Sequence, residues 1–83
     1  MKLLKFYAEW CAPCKMLSNV IKNAGDKITV PVVDVDIDNN IAMSVDYKVR
    51  SVPTCVLLDD EGKEVKRKVG AMNEAQLLQF LGE

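Results

Sequence analysis

Trp10-Cys11-Ala12-Pro13-Cys14-Lys15 lies between two stretches of different hydrophobic period. Upstream, residues 3–8 form a short and mostly apolar run, the pattern of a buried strand. Downstream, Leu17, Val20, Ile21 and Ala24 recur at i, i+3, i+4 and i+7, the stripe of an amphipathic helix. Lys15, Ser18, Asn19, Lys22 and Asn23 take the opposite face. A Cys-x-x-Cys at such a junction puts one sulfur at a helix N-terminus. Unpaired backbone N–H groups and the positive end of the helix dipole there favour a thiolate. The second sulfur follows one turn later, within bridging reach, an arrangement suited to reversible thiol–disulfide exchange.

The pattern continues outward from that junction. Gly25 suits the C-terminal cap of the first helix. Residues 28–37 alternate and are rich in valine, which predicts a second strand over about 29–35. A short helix is expected over about 40–47, with Asn39 or Asn40 as N-cap. After Val52-Pro53-Thr54, residues 55–59 read as a third strand. Asp60-Glu61-Gly62 is a hairpin signal, with Gly62 suited to positive φ, and Glu64–Val69 returns as a fourth strand. Gly70 and Ala71 form a loop. Asn73 caps a last helix, Gln76 completes a capping-box pair, and Leu77, Leu78 and Leu81 supply its buried stripe, with Phe80 at the margin. The expected architecture is α/β, a single domain over 1–83. Its order is β-α-β-α-β-β-α, a four-stranded mixed sheet flanked by three helices. Strands joined through helices are expected to be parallel, and the last two to form an antiparallel hairpin.

Size and composition narrow the function classes. A chain of 83 residues can bury one compact core, roughly 60 to 65 per cent of its unfolded surface. The net charge of −1 points to neither nucleic acid nor anionic membrane. Charge is uneven locally: residues 26–46 carry five Asp against one Lys, and 48–68 carry six basic against four acidic residues, which reads as solvated surface. Met1-Lys2-Leu3-Leu4-Lys5-Phe6 carries lysine inside its apolar run and reads as a strand rather than a signal peptide, so a cytoplasmic location is expected. Three cysteines and no histidine fit a redox pair plus one odd thiol, not a disulfide scaffold. A closed zinc site needs four ligands, usually Cys or His, so neither metal nor cofactor is expected.

Three segments together carry a family resemblance. Phe6-Tyr7-Ala8-Glu9-Trp10-Cys11-Ala12-Pro13-Cys14-Lys15-Met16 resembles the thioredoxin active-site segment. Tyr47-Lys48-Val49-Arg50-Ser51-Val52-Pro53-Thr54 resembles the segment bearing that family's cis-proline, and Val69-Gly70-Ala71 resembles its third active-site loop. The resemblance implies a minimal thioredoxin fold, close to glutaredoxins in size. It implies that Cys11 attacks a substrate disulfide and that Cys14 resolves the mixed disulfide. Trp10, Val52, Pro53, Thr54, Gly70 and Ala71 would then form the docking surface, with Pro53 cis and a substrate peptide adding along the Val52 backbone.

The chain also departs from the family pattern. Set against the family pattern, the strand and helix that usually come before the active-site strand are expected to be missing, which should leave the second strand at a sheet edge. Pro31 suits such an edge because it lacks a ladder donor. Ala12 stands where glycine is usual and should alter the redox potential modestly. Asn19 replaces a helix proline, which should leave that helix straighter. Lys5 stands where the family usually has a buried aspartate, and Asp34 where it has a lysine. The two are expected to form a partly buried pair beneath Cys14 that replaces the usual proton-handling group; the alternative has Lys5 snorkelling to solvent. Ala12 and Pro13 would shape the turn between the sulfurs. Cys55 and Tyr7 are expected to be packing residues.

The function this implies is a protein disulfide reductase or electron carrier. It would be monomeric, recharged by a thioredoxin-reductase-like flavoprotein or another reductant, and would pass electrons to disulfide proteins such as ribonucleotide reductase. A glutathione-coupled, glutaredoxin-like oxidoreductase and a thioredoxin-fold binding module are the alternatives.

Overall fold

The computed structural model describes residues 1–82. Its elements are β1 (Lys2–Tyr7), α1 (Ala12–Ala24), β2 (Val32–Asp36), α2 (Ile41–Asp46), β3 (Thr54–Leu58), β4 (Glu64–Val69) and α3 (Glu74–Leu81). A 3-10 turn over Gly25–Lys27 follows α1. The strands form one sheet in the order β2-β1-β3-β4. β1 runs parallel to β2, and β3 is antiparallel to both β1 and β4.

The central strands are mostly apolar, Lys5 and Thr54 being the buried polar exceptions, because the sheet is covered on both faces. On one face Leu3, Cys55 and Leu57 pack with Leu17 of α1 and with Leu77 and Leu81 of α3. On the other, Leu4, Phe6, Val56 and Leu58 pack with Met43 of α2 and with Tyr47. The Phe6 and Tyr47 rings meet with centroids 5.6 Å apart. β4, at the edge, is charged and largely exposed. In α3, Leu77 and Leu81 are buried, whereas Leu78 is only half-buried at the margin of the stripe.

Two expectations are corrected. β3 does not return parallel to β2. β2 ends with Asp36 opposite Tyr7, and β3 begins with Thr54 opposite Phe6, so the connection stays at one end of the sheet. The six-residue α2 spans only about 9 Å, whereas the thirteen-residue α1 covers about 20 Å and carries the chain back for a parallel return. The second correction is that β2 starts at Val32 rather than near 29. Pro31 cannot donate to a ladder; instead its carbonyl accepts the Leu3 N–H at 2.9 Å, just ahead of the first β1·β2 pair. β2 is an edge strand, as Pro31 suggested.

Candidate active site

The site forms where β1 hands over to α1. Cys11 is the N-cap of α1, in extended conformation, and its Sγ accepts the backbone N–H of Cys14 at 3.1 Å. Ala12 and Pro13 occupy the first two helical positions, where the missing proline N–H would have no intrahelical partner anyway; both are exposed. Cys11 and Cys14 are disulfide-bonded, their Cα atoms 5.2 Å apart. Both are buried, in a small cluster with Ala8 against Tyr7, Ile37 and Val52.

A second segment closes on Cys11 from the β3 side. The Val52–Pro53 bond is cis. The Val52 carbonyl oxygen lies 3.7 Å from Cys11 Sγ. Pro53 and Thr54 are buried, and the Thr54 hydroxyl donates to the Ser51 carbonyl at 2.7 Å. The Gly70 N–H donates to the Pro53 carbonyl at 2.8 Å, tying the loop after β4 to the segment before β3. Gly70 has φ +100°, and a Cβ there would meet no atom within 4 Å, so its glycine answers a backbone requirement and not a steric one. Ala71 beside it is exposed.

Trp10 is 70% exposed, and its indole Nε1–H donates to Asp38 Oδ2 at 3.1 Å. Sequence reasoning missed Asp38. The turn that presents it is organised by the buried Asp36, whose carboxylate accepts from the Asp38 N–H at 2.9 Å and from the Asn39 side-chain amide at 3.1 Å. The run Asp36-Ile37-Asp38-Asn39-Asn40 carried that signal, since Asp and Asn side chains bond backbone two residues on. Asn40 does occupy the N-cap of α2, but its side chain donates to the Asp36 carbonyl instead of capping the helix.

Lys5 is drawn inward. Its side chain is 5% exposed, and its Nζ lies 3.2 Å from Asp34 Oδ1. The two residues are register partners across the parallel β1·β2 ladder. Asp34, on the edge strand, is itself 57% exposed. Lys5 Nζ also donates a short hydrogen bond to the Ser18 hydroxyl and lies 5.6 Å from the Tyr7 ring centre. Ser18 was read only as part of the polar face of α1; the structure has it half-buried against Lys5, and its spacing of four from Cys14 was the available signal. Ser18 and Cys14 both line an open groove of about 390 Å³, together with Tyr7, Glu9 and Lys15. Loss of solvent, then the carboxylates of Asp36, Glu9 and Asp34, raises the Tyr7 phenol above its usual range. Cys55, the register partner of Lys5 on β3, is fully buried. Burial pushes its thiol up to about 11 despite the opposing charge of Lys5.

The structure therefore brings Val52 against the Cys11–Cys14 disulfide, with Trp10 next to Cys11 in the chain and Gly70 tied to the adjoining Pro53. Lys5 meets α1 one turn farther on, at Ser18, while Asp34 pairs with Lys5 from the edge strand. No cluster of metal-ligating side chains occurs among the described residues.

Comparison with known proteins gives a consistent result. The sequence model of the family described as Thioredoxin matches residues 1–83. A thioredoxin of Mycolicibacterium smegmatis is 45% identical over 85 residues, covering 98% of this chain and 75% of that protein. A thioredoxin of Chlamydia trachomatis is 39% identical over 82 residues, covering 98% and 79%. Among solved structures, a thioredoxin variant from Halobacterium salinarum superposes with a TM-score of 0.87 at 39% identity, covering 95% of this chain and 69% of that one.

Proposed function

The chain belongs to the thioredoxin family and is a thiol–disulfide oxidoreductase, and from that premise we propose how its dithiol divides the work. Cys11 is the nucleophile. The observation that carries this is the hydrogen bond from the Cys14 N–H to Cys11 Sγ at the start of α1. In the reduced protein that donor and the helix dipole favour the Cys11 thiolate. The thiolate attacks one sulfur of a substrate disulfide, forms a mixed disulfide and expels the other sulfur as a thiolate, which takes up a proton. Cys14 then loses its proton and attacks Cys11 Sγ. The Cys11–Cys14 bond forms, the mixed disulfide breaks, and the substrate leaves with both sulfurs reduced.

Substrate docks over the sulfurs on Trp10, Val52, Pro53, Thr54, Gly70 and Ala71. The proximity of the Val52 carbonyl to Cys11, the exposure of Trp10 and the Gly70–Pro53 bond support this surface. An extended segment would lie along Val52 with main-chain hydrogen bonds, which tolerate many sequences. Ala12 and Pro13 shape the turn between the sulfurs. Partners are disulfide proteins and a reductase in general. More specifically, the chain would be reduced by a thioredoxin-reductase-like flavoprotein and would act as a monomer on substrates such as ribonucleotide reductase. A reducing compartment such as the cytoplasm suits a dithiol that must be kept reduced. No helix among the described residues is long and apolar enough to cross a membrane.

Trapping separates the two roles. Cys14→Ser should accumulate a mixed disulfide on Cys11 with a disulfide substrate, read by intact mass, while Cys11→Ser should accumulate none. The reverse pattern would exchange the assignments. Equilibration of the unmodified dithiol with glutathione tests the class: a strongly reducing potential without a lasting glutathione adduct is expected, and efficient turnover with glutathione alone would favour the glutaredoxin-like reading.

A further inference from the structure

A lysine side chain only 5% exposed at the heart of a sheet requires explanation, because burying an ammonium is costly unless it is paired and hydrogen-bonded. Lys5 has both kinds of partner, but they are unequal. Asp34 is 57% exposed and its charge is screened by water, whereas the ammonium is not. Of the two paired charges, the ammonium is therefore the less screened where Lys5 faces α1. Lys5 Nζ reaches that helix at the Ser18 hydroxyl. Ser18 is four residues after Cys14, hence on the same helix face one turn away, and both line the same open groove. Cys55 also feels Lys5, but its thiol is sealed in the core. Cys14 instead borders a space that admits water, through which a proton can leave.

We propose that Lys5 is a positioning residue for the second half of the exchange, its ammonium favouring the Cys14 thiolate through Ser18, with Asp34 holding the ammonium in place and tempering its charge. The proposal rests on the dithiol reading above. In the step concerned, Cys14 gives its proton to water in the groove, its thiolate attacks Cys11 Sγ, the Cys11–Cys14 bond forms, and the substrate sulfur departs with the bonding electrons. The other charged or titratable groups nearby are Tyr7 and Glu9 after it, Asp34 and Asp36 on β2, Lys15 on α1 and Cys55 on β3.

The test is the titration of Cys14 in the reduced full-length protein, followed by its own carbon-13 Cβ shift. Lys5→Met should move the midpoint up by about one pH unit, which means about a tenfold smaller thiolate fraction at neutral pH. Release of substrate from the mixed disulfide should slow in proportion, and Lys5→Arg should restore most of both. Asp34→Asn, on an exposed position that leaves the core untouched, should move the midpoint down. Opposite signs for the two substitutions cannot come from a merely structural pair. An unmoved Cys14 midpoint in Asp34→Asn, or a shift of the same sign in both, overturns the proposal, and the Asp34 variant decides it even if Lys5→Met does not fold. Failure of the unmodified protein to form any mixed disulfide through Cys11 would instead overturn the dithiol reading, so the two failures are told apart.

Discussion

Cys55 illustrates how one residue type takes different roles within a few ångströms. Cys11 and Cys14 sit at a helix N-terminus beside a groove, whereas Cys55 is sealed between β1, α1 and α3. Burial raises its thiol to about 11, with Lys5 opposing. Because the folded value lies above the unfolded one, the stabilising contribution is complete below about pH 9 and is lost as pH rises toward about 11. The slope is at most about 1.4 kcal/mol per pH unit. Urea unfolding across that window should show the native protein losing this increment and Cys55→Ala losing less, whatever its baseline. Parallel curves would mean that Cys55 does not titrate differently in the two states. The burial of Cys55 was readable from its strand context, and its inertness follows from burial. The burial of Lys5 was not readable from composition, since lysine is rarely buried; the family resemblance suggested a partly buried pair, and the structure buries the Lys5 side while leaving its register partner Asp34 exposed.

Among the elements, α1 and α3 were the most legible, because their caps and apolar spacing agree. Asn73 accepts the Gln76 N–H at 2.8 Å, and the Gln76 side chain accepts the Asn73 N–H at 2.9 Å, so the capping box read from the sequence forms in full. Asn73→Ala should cost about 1 kcal/mol, visible as a lower denaturation midpoint at unchanged slope, and Asn73→Ser should recover much of it. An Ala variant with no loss would mean that water satisfies this helix end equally well. Shorter elements were less legible. The start of β2 depends on a missing proline donor, and the Asn40 side chain was drawn to the Asp36 carbonyl by a turn whose geometry is tertiary. The roles of Asp38 and of Ser18, which was read only as a polar-face residue, were hidden for the same reason: each acts on a side chain distant in sequence, Trp10 and Lys5 respectively.

In the whole molecule, stability should follow the order of the strands. β1 and β3 are central and buried on both faces, while β2 and β4 form the edges. Native-state hydrogen exchange should therefore find the slowest amides in β1 and β3 and earlier exchange in β4, whose strand is largely exposed. Slower exchange in β4 than in β3 would contradict this hierarchy. The same arrangement places the chemistry at the end of the sheet where β1 stops and β3 starts, bringing Cys11 within 3.7 Å of the Val52 carbonyl across 41 positions of chain.

The sequence by itself determined the local features: element order, the two periodic helices, the N-terminal placement of Cys11, the hairpin turn and the α3 cap. These depend on neighbours within about one turn, where propensity and hydrogen bonding act directly. Only the tertiary structure decided the antiparallel placement of β3, the bond from Lys5 to Ser18, and the support of Trp10 by Asp38. Each is a relation between segments far apart along the chain, set by sheet register and by which faces must be covered, and no local pattern encodes it.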